Sequence, residues 1–256
     1  MIISNLKSRI LNLLLAALAG FYIVMWVGGV SSHFMFGQAP QDAKWAAPTF
    51  LFLAALIVLL ATSRDGLARL LTASGIGFAA EATGVRYGFV FGVYSYTGEL
   101  GPQLFGVPLA MACAWLALVA YAEEMLPDHL PVAVRATIAA VWLTAIDLVI
   151  DPLAAGELGY WHWAERGIYY GIPASNFAGW FTVSLFIFGL MGLLFGRGRQ
   201  SNYMAQYIGL SLIIFFTFIA LAHHFVVITI IGVLLCLVHF ALVYLRTGRG
   251  RREVDR

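Results

Sequence analysis

The chain has 256 residues, of which 61% are hydrophobic and only 11% are charged, and its mean hydropathy is +0.87. Soluble domains carry about 25% charged residues, so this composition excludes an ordinary soluble domain. The formal net charge is only +2 and the basic residues are scattered, which excludes a basic face that follows a nucleic-acid backbone. The two cysteines, Cys113 and Cys236, lie inside apolar runs with no partner at metal-ligand spacing, so we expect no metal site.

Eight apolar stretches approach the roughly 20 residues that a helix needs to cross a bilayer. They lie near residues 10–30, 48–62, 66–81, 106–125, 132–150, 177–195, 205–222 and 225–245. The first is too long for the core of a signal peptide and no small-residue cleavage site follows it, so we expect a span there. Only Ser63-Arg64-Asp65-Gly66 separates the second from the third, which predicts a tight helical hairpin. Only His223-His224 divides the last two, so one long bent helix is the competing interpretation.

The distribution of basic residues favours eight spans over seven. With the N-terminus in the cytoplasm, eight spans place 12 of the 15 basic residues on the cytoplasmic side and only Lys44, Arg86 and Arg166 on the other, as the positive-inside rule expects. Seven spans would move the cluster from Arg246 to Arg256 outside. We therefore predict an all-α fold, a single polytopic transmembrane helical domain of about eight spans over residues 1–245. A basic cytoplasmic tail over residues 246–256 follows it, with both termini cytoplasmic in the cell (plasma or inner) membrane.

This topology places two long aromatic-rich loops, roughly 82–105 and 151–176, together on the non-cytoplasmic side. Their aromatic residues and one histidine are Tyr87, Tyr94, Tyr96, Tyr160, Trp161, His162, Trp163, Tyr169 and Tyr170. The helix ends that lead into them carry Glu81, Asp147, Asp151 and Asn176. Acidic groups at membrane depth are costly and mark functional sites by default, so we expect the site at this end of the bundle.

The spacing of polar residues in the fifth span places them on one stripe. Thr144, Asp147 and Asp151 are three and four residues apart, which aligns them on one face of a helix. Pro152 disfavours helical geometry at Asp151, and we expect the helix to end there. Asp147 then lies one turn inside the span.

A faint internal repeat links the two loops. Gly106-Val107-Pro108 is followed by Trp115, and Gly171-Ile172-Pro173 is followed by Trp180, seven residues after the proline in both cases. The segment before the first motif has a glycine every four residues, at Gly84, Gly88 and Gly92. If that segment is helical, the glycines allow close backbone approach.

Simpler interpretations compete with a functional one at each position. Tyr and Trp at helix ends commonly form an interfacial belt. Asp151 before Pro152 fits a polar helix end, and Glu81 fits a cap or an ion pair with Arg86. The His223-His224 pair fits an exposed turn as well as a ligand pair.

The loops and the helix ends beside them resemble the carotenoid biosynthesis membrane protein family that contains the CruF-type carotenoid hydratases. In the first half the resemblance rests on Gly92-Val93-Tyr94-Ser95-Tyr96-Thr97, Gly101-Pro102, Gly106-Val107-Pro108 and Trp115. In the second half it rests on Asp147-Leu148-Val149-Ile150-Asp151-Pro152, Gly159-Tyr160-Trp161-His162-Trp163, Gly167-Ile168-Tyr169-Tyr170-Gly171-Ile172-Pro173 and Asn176-Phe177-Ala178-Gly179-Trp180. It covers about residues 75–195, and the second block is the more specific.

The resemblance implies a hydro-lyase that adds water to the terminal 1',2' double bond of an acyclic carotenoid end group and gives a tertiary alcohol. Its substrate would be membrane-embedded, of the lycopene or monocyclic carotene type. Its surroundings would be the lipid bilayer and other carotenoid biosynthesis enzymes. Neither a metal nor another cofactor is implied.

Protonation of such an alkene gives a tertiary carbocation, which water captures. This chemistry needs a carboxylic acid kept protonated by low-dielectric surroundings and electron-rich rings beside the cation. We predict Asp147 as the proton donor, Asp151 as its partner and Glu81 as the alternative acid. The predicted substrate-binding residues are Tyr94, Tyr96, Trp161, His162, Trp163, Tyr169, Tyr170, Asn176 and Trp180. Among these, Asn176 and Tyr170 would orient the water, while Trp161, Trp163 and Tyr96 would face the cation.

Three other classes remain open on the sequence. A di-iron desaturase or hydroxylase would need several histidine clusters, and the chain has six histidines with one adjacent pair. A carotenoid cyclase or a prenyltransferase is the nearest alternative, although no second acidic cluster for magnesium diphosphate accompanies Asp147 and Asp151. A non-enzymatic transporter or carotenoid- or lipid-binding protein would place polar residues throughout the bilayer depth.

Overall fold

The computed structural model describes residues 2–39, 41–127, 129–196 and 202–254, with only the backbone described at 2–8, 41 and 246–254. Over these residues the chain forms eight α-helices, as predicted. They are α1 (Ile2–Phe36), α2 (Ala46–Leu60), α3 (Arg64–Tyr87), α4 (Leu109–Met125), α5 (Val132–Ala155), α6 (Ala174–Leu194), α7 (Tyr203–Ala222) and α8 (Val226–Val254). A short 3-10 helix, Gln41–Ala43, lies between α1 and α2. The backbone of residues 246–254, predicted as a tail, continues α8.

Five of the described helices are long and apolar enough to cross a membrane: α1, α5, α6, α7 and α8. The other three are shorter or more polar. Helix α2 has 15 residues and α4 has 17, while α3 carries charged side chains at both ends. Helix α4 lies at the centre of the bundle, where α2, α3, α5 and α7 pack around it. This short helix is therefore surrounded by other helices.

Two small antiparallel sheets, which the sequence did not predict, organise the loops. Strand β1 (Tyr94–Tyr96) pairs with β4 (Trp161–Trp163), with Ser95 opposite His162. Strand β2 (Gln103–Leu104) pairs with β3 (Val107–Pro108) in a hairpin. The β1–β4 pairing joins the two aromatic loops, so these loops lie on the same side of the bundle.

Further contacts place four connections at this same end, which we call the loop end. Lys44, between α1 and α2, donates to Glu99 in the first aromatic loop over 2.8 Å. The Nε2 atom of His223, at the α7–α8 junction, lies 3.0 Å from Nδ1 of His33 near the end of α1. The Nδ1 atom of His223 lies 3.1 Å from the carboxylate of Glu157, just after α5. The connections α1–α2, α3–α4, α5–α6 and α7–α8 therefore meet at the loop end.

The remaining described helix ends meet at the opposite end. Arg69, near the start of α3, donates to Glu123 near the end of α4 over 2.6 Å and to the carbonyl of Gly196 after α6 over 3.3 Å. Asn202, which caps α7, donates its backbone N–H to the Glu124 side chain at the end of α4 over 3.0 Å. The helices thus run alternately between two ends, as the eight-span prediction requires. Three residues used in the charge argument, Arg197, Arg199 and Arg256, lie outside the described residues.

Local contacts and backbone geometry explain the junctions α2–α3 and α7–α8. Ser63 caps α3 by accepting from the N–H of Gly66 over 3.3 Å, which produces the predicted hairpin with α2. At the other junction His224 has a left-handed φ of 63°, so α7 and α8 are two helices and the single bent helix is wrong.

The predicted end of the fifth helix at Pro152 is wrong, because α5 continues to Ala155. Proline has no N–H to offer the carbonyl four residues earlier, here that of Leu148. The hydroxyl of Tyr169 donates to that carbonyl over 3.0 Å instead. A loop side chain therefore satisfies the backbone group that the proline leaves open.

The glycine series before the first motif is only partly helical. Helix α3 ends at Tyr87 and Gly88 forms its left-handed cap with φ 62°. Gly92 lies beyond it with φ 109°, so only Gly84 allows a close approach within the helix. An added Cβ there would lie 3.0 Å from the Tyr94 hydroxyl.

Candidate functional site

Asp147, Asp151 and Asn176 form a buried cluster between α5 and α6. The side-chain nitrogen of Asn176 donates to Asp147 over 2.8 Å and to Asp151 over 3.1 Å. Asp151 also accepts from the indole nitrogen of Trp161 over 2.9 Å. Asp147 has no other described hydrogen bond, so one of its oxygens is free to face a ligand. The four-residue spacing on the helix, read from the sequence, produces this shared contact.

Glu81 lies on the facing side of the site and is held by three donors. Tyr94 and Tyr96 donate their hydroxyls to one carboxylate oxygen over 2.5 and 2.8 Å, and Trp115 donates its indole N–H to the other over 3.1 Å. The three donors leave neither oxygen of Glu81 without a partner, and they stabilise its charged form against the effect of burial. The environment of Glu81 therefore suits a base or an electrostatic partner better than a proton donor.

The two phenols keep their protons in this setting. Burial, followed by the nearby Glu81 carboxylate, raises the pKa of Tyr94 and of Tyr96 above the ordinary value of a phenol. Both groups therefore act as donors at any pH near neutrality. Arg86 takes no part, because it lies over the ring of Tyr87 at 5.5 Å from the centroid; the ion pair considered for Glu81 does not form.

The faint sequence repeat corresponds to a repeated structure. Phe105 and Gly106 both have positive φ, 55° and 79°, and so do Tyr170 and Gly171, 50° and 85°. Two consecutive left-handed residues are the signature of a tight hairpin turn, and each hairpin leads into a proline that begins a helix. Those prolines cap α4 and α6. The same local fold therefore delivers one tryptophan from each half to the site.

These two tryptophans stack on one another. The rings of Trp115 and Trp180 lie parallel, with centroids 4.3 Å apart and an interplanar angle of 13°. Gly77 on α3 makes room, because a Cβ there would overlap the Trp115 ring. Since Trp115 also donates to Glu81, the stacked pair connects the Glu81 side of the site to α6.

Two cavities meet the carboxyl groups. A cavity of about 20 Å³ is lined by Glu81, Asp151 and Asn176 with surrounding aromatic rings, enough for about one water molecule. A second cavity of about 60 Å³ is lined by Asp147, by Tyr160, Trp161 and Trp180, and otherwise by apolar side chains. The acids thus lie between a small polar space and an apolar one.

Most of the remaining predicted residues surround this pair of cavities. Trp163 and Tyr96 line the small one, and Trp163 packs against Tyr94 with centroids 4.9 Å apart. Tyr96 meets Trp161 edge-on at 5.7 Å. The buried indole N–H of Trp163 lies near Asp151 but forms no hydrogen bond of full geometry with a described residue.

Three predicted residues lie away from the carboxyl groups. His162 is exposed because side chains alternate along a strand, and its neighbours Trp161 and Trp163 occupy the inner face of β4. Tyr170 sits in the left-handed turn and packs on Phe225, so it does not reach the cluster that was expected to hold water. Tyr169 instead supports α5 through Leu148.

The sequence prediction omitted Trp115 and Tyr160 from the site. The repeat contained the signal for Trp115, since Trp180, at the equivalent position, was included. Tyr160 was recognised only as a loop aromatic, and nothing in its spacing distinguished it. Within the described part of the chain, no group of three or more His, Cys, Asp or Glu side chains is arranged to hold a metal ion.

Comparison with known proteins adds two findings. A family model described as carotenoid biosynthesis protein matches residues 46–243, which begins at α2 and ends within α8. The bisanhydrobacterioruberin hydratase of Haloarcula japonica is 36% identical over 150 residues, which cover 54% of this chain and 50% of that protein. The chain therefore spans about half the length of that curated relative. No solved structure matches the chain.

Proposed function

The chain belongs to the carotenoid biosynthesis protein family, and we propose that it is a carotenoid hydratase. In this proposal it adds water to the terminal 1',2' double bond of an acyclic carotenoid end group and gives a tertiary alcohol. The observation that carries the proposal is the Asp147–Asn176–Asp151 cluster, which lies between an apolar cavity and a water-sized polar one. Such a site has room for an alkene on one side and its nucleophile on the other.

Asp147 donates the proton in the first step. It lines the apolar cavity and has one oxygen with no described partner, whereas Glu81 receives three donors. The π electrons of the double bond form a new C–H bond with the proton of Asp147. The positive charge then lies on the tertiary carbon of the end group, and Asp147 is left as a carboxylate.

Aromatic faces stabilise this cation. Trp161 and Trp180 line the same apolar cavity as Asp147, and the electron-rich face of an indole attracts a positive charge within about 6 Å. The stacking of Trp115 on Trp180 holds that ring in place, so its position does not depend on the substrate.

Water from the small cavity completes the reaction. Its oxygen forms the C–O bond while its proton passes to Asp151 or Glu81, which line that cavity. The proton then returns to Asp147, which shares the Asn176 donor with Asp151. One water is consumed, the carboxyl groups regain their initial proton, and no electron is gained or lost.

The setting that we propose is the cell membrane, with the termini cytoplasmic and the loop end outside. Substrates of the lycopene or monocyclic carotene type are apolar and dissolve in the bilayer, so enzymes that make them in the same membrane would supply the site.

Expression in a host that accumulates lycopene tests the proposal. Pigment extracts should contain a new carotenoid heavier by one water, and a second product if both ends react. A host with the empty vector provides the control. If the pigment profile is unchanged although the protein is present in the membrane, the proposed activity is wrong.

A further inference from the structure

A groove of about 700 Å³ opens beside the loop end, between α1 and the segments that follow it. One wall is formed by Phe21, Val24 and Met25 of α1, and the rim carries the Lys44–Glu99 ion pair. The exposed faces of Phe21 and Val24 make this wall apolar on its outer side. The groove is of the size that small-molecule sites occupy, roughly 300–1,000 Å³.

The groove continues inward through a second space. A cavity of about 100 Å³ shares Met25 and Gly29 with the groove. It also shares Leu51 and Phe216 with the cavity of about 60 Å³ that contains Asp147. Side chains common to two cavities form the partition between them, so the three spaces follow one another from the surface to the acid.

Tyr160 lines all three spaces. Its backbone is fixed, because its N–H donates to Ala154 over 2.8 Å and its carbonyl accepts from Thr97 over 2.9 Å. Its hydroxyl has no hydrogen bond within the described residues. The half-buried ring of Tyr160, at the point where the three cavities meet, is placed to contact a ligand that passes between them.

We propose that this groove binds the polyene chain of the substrate, and that Tyr160 with Leu51 and Phe216 positions the end group against Asp147. The inference rests on the proposed function. The cavity at Asp147 has room for an end group only, whereas a carotenoid is a long linear hydrocarbon, so the rest of the molecule needs an apolar space continuous with that cavity. Helix α1 lies outside the residues that the family model matches, yet it supplies one wall of this space.

Two glycines of α1 give a matched pair of variants for the test. An added Cβ at Gly28 or at Gly20 meets nothing within 4 Å, so both positions accept a side chain. Of these two glycines, Gly28 lines the groove and Gly20 does not. Gly28→Phe should therefore fill part of the groove, while Gly20→Phe places the same ring on α1 outside it. Ala47→Phe, at the junction of the groove and the second cavity, is an independent block.

The variants are expressed with carotenoid in the host membrane and purified in detergent, and both the pigment retained per protein and the hydrated product are measured. Gly28→Phe and Ala47→Phe should each lower retained pigment by about tenfold, as expected for overpacking of a fitted space, while Gly20→Phe retains the wild-type amount. Wild-type retention in both blocked variants would overturn the inference, as would a wild-type protein that carries lipid but no carotenoid.

The two readouts separate this inference from the proposed function. If the wild type retains pigment that Gly28→Phe loses, but makes no hydrated product, the groove binds carotenoid and the proposed hydratase activity is wrong. If hydration occurs equally in all variants, hydration stands and the groove fails.

Tyr160 has its own readout, the ratio of product formed to pigment retained. Tyr160→Ala joins the cavities, so pigment should stay bound while the ratio falls by about tenfold, because the end group is no longer held against Asp147. Tyr160→Phe keeps the ring and should keep the ratio. An unchanged ratio in Tyr160→Ala would remove the positioning role.

Discussion

The indole ring of Trp115 lies flat on that of Trp180, with ring centroids 4.3 Å apart, although the two residues come from opposite halves of an internal repeat. The same Trp115 donates its N–H to Glu81 over 3.1 Å. Trp115 therefore holds both an aromatic ring of the apolar cavity and a carboxyl group of the polar one.

Asp147→Asn should abolish hydration while the protein still inserts and still binds carotenoid. The two side chains are nearly isosteric, but the amide has no acidic proton to donate. General acid catalysis contributes roughly a hundred- to ten-thousand-fold, and the loss should lie at the upper end because an alkene has no easier route to its cation. Product formation per protein is the measurement.

Matched carboxylate variants identify the acid. Asp65→Asn, at an exposed position near the start of α3, should leave turnover unchanged. Asp151→Asn and Glu81→Gln should lower turnover, because both carboxyl groups line the small cavity that supplies the water. If Asp147→Asn keeps near wild-type turnover while Glu81→Gln is inactive, Glu81 is the acid and the Asp147 assignment is wrong.

Trp115→Phe should destabilise the protein and reduce turnover together. Phenylalanine keeps a ring beside Trp180 but leaves one buried Glu81 oxygen without its donor, a loss of about 1–3 kcal/mol. Thermal unfolding in detergent measures the first effect and pigment analysis the second. Trp45→Phe is the control for stability only, because Trp45 is 56% exposed and lines the outer groove rather than the cavities at the carboxyl groups. Equal melting temperatures for the two variants would contradict the assigned role of Trp115.

Tyr169→Phe should cost stability in a way that depends on Pro152. The variant removes the side-chain donor to the Leu148 carbonyl, at a cost of about 1–3 kcal/mol. In a Pro152→Ala background the new backbone N–H at position 152 reaches that carbonyl, so the same change should cost less. The free energy of unfolding of the four proteins gives the coupling. Equal costs in both backgrounds would show that Tyr169 does not compensate for the proline.

Cysteine labelling tests the orientation of the loop end. In a background without Cys113 and Cys236, Arg166→Cys in the second aromatic loop should react with an impermeant maleimide added outside intact cells. Arg64→Cys, at the start of α3, should react only after the membrane is opened. Labelling of both from one side would contradict the eight-span arrangement.

Much of the fold follows from residue periodicity, because apolar runs and helix-breaking residues are local signals. The eight helices, the α2–α3 hairpin and the shared stripe of Asp147 and Asp151 could all be predicted this way. Pro152 was misjudged because the partner of the Leu148 carbonyl, Tyr169, comes from a loop 21 residues along the chain. No local pattern contains that information.

The carboxyl groups of the candidate site could be predicted from the sequence, whereas the residues around them were predicted less well. Burying a carboxyl group in a membrane costs free energy, so Glu81, Asp147 and Asp151 can be identified as candidate functional residues from the sequence alone. The sequence does not show which side chains of a three-residue strand face inward, so His162 was included although it faces outward. Tyr160 could not be singled out, since its importance comes from three cavities that exist only in the folded protein.

The origin of the added oxygen tests the central claim most directly. Membranes that contain the protein are given lycopene in water enriched in oxygen-18, without reductant and without molecular oxygen. Acid-catalysed hydration predicts a carotenoid alcohol whose oxygen carries the label, and its formation should stop in Asp147→Asn membranes. A hydroxyl group that forms only when molecular oxygen is present, and takes its oxygen from that gas, would contradict hydration and place the chemistry in an oxidative class.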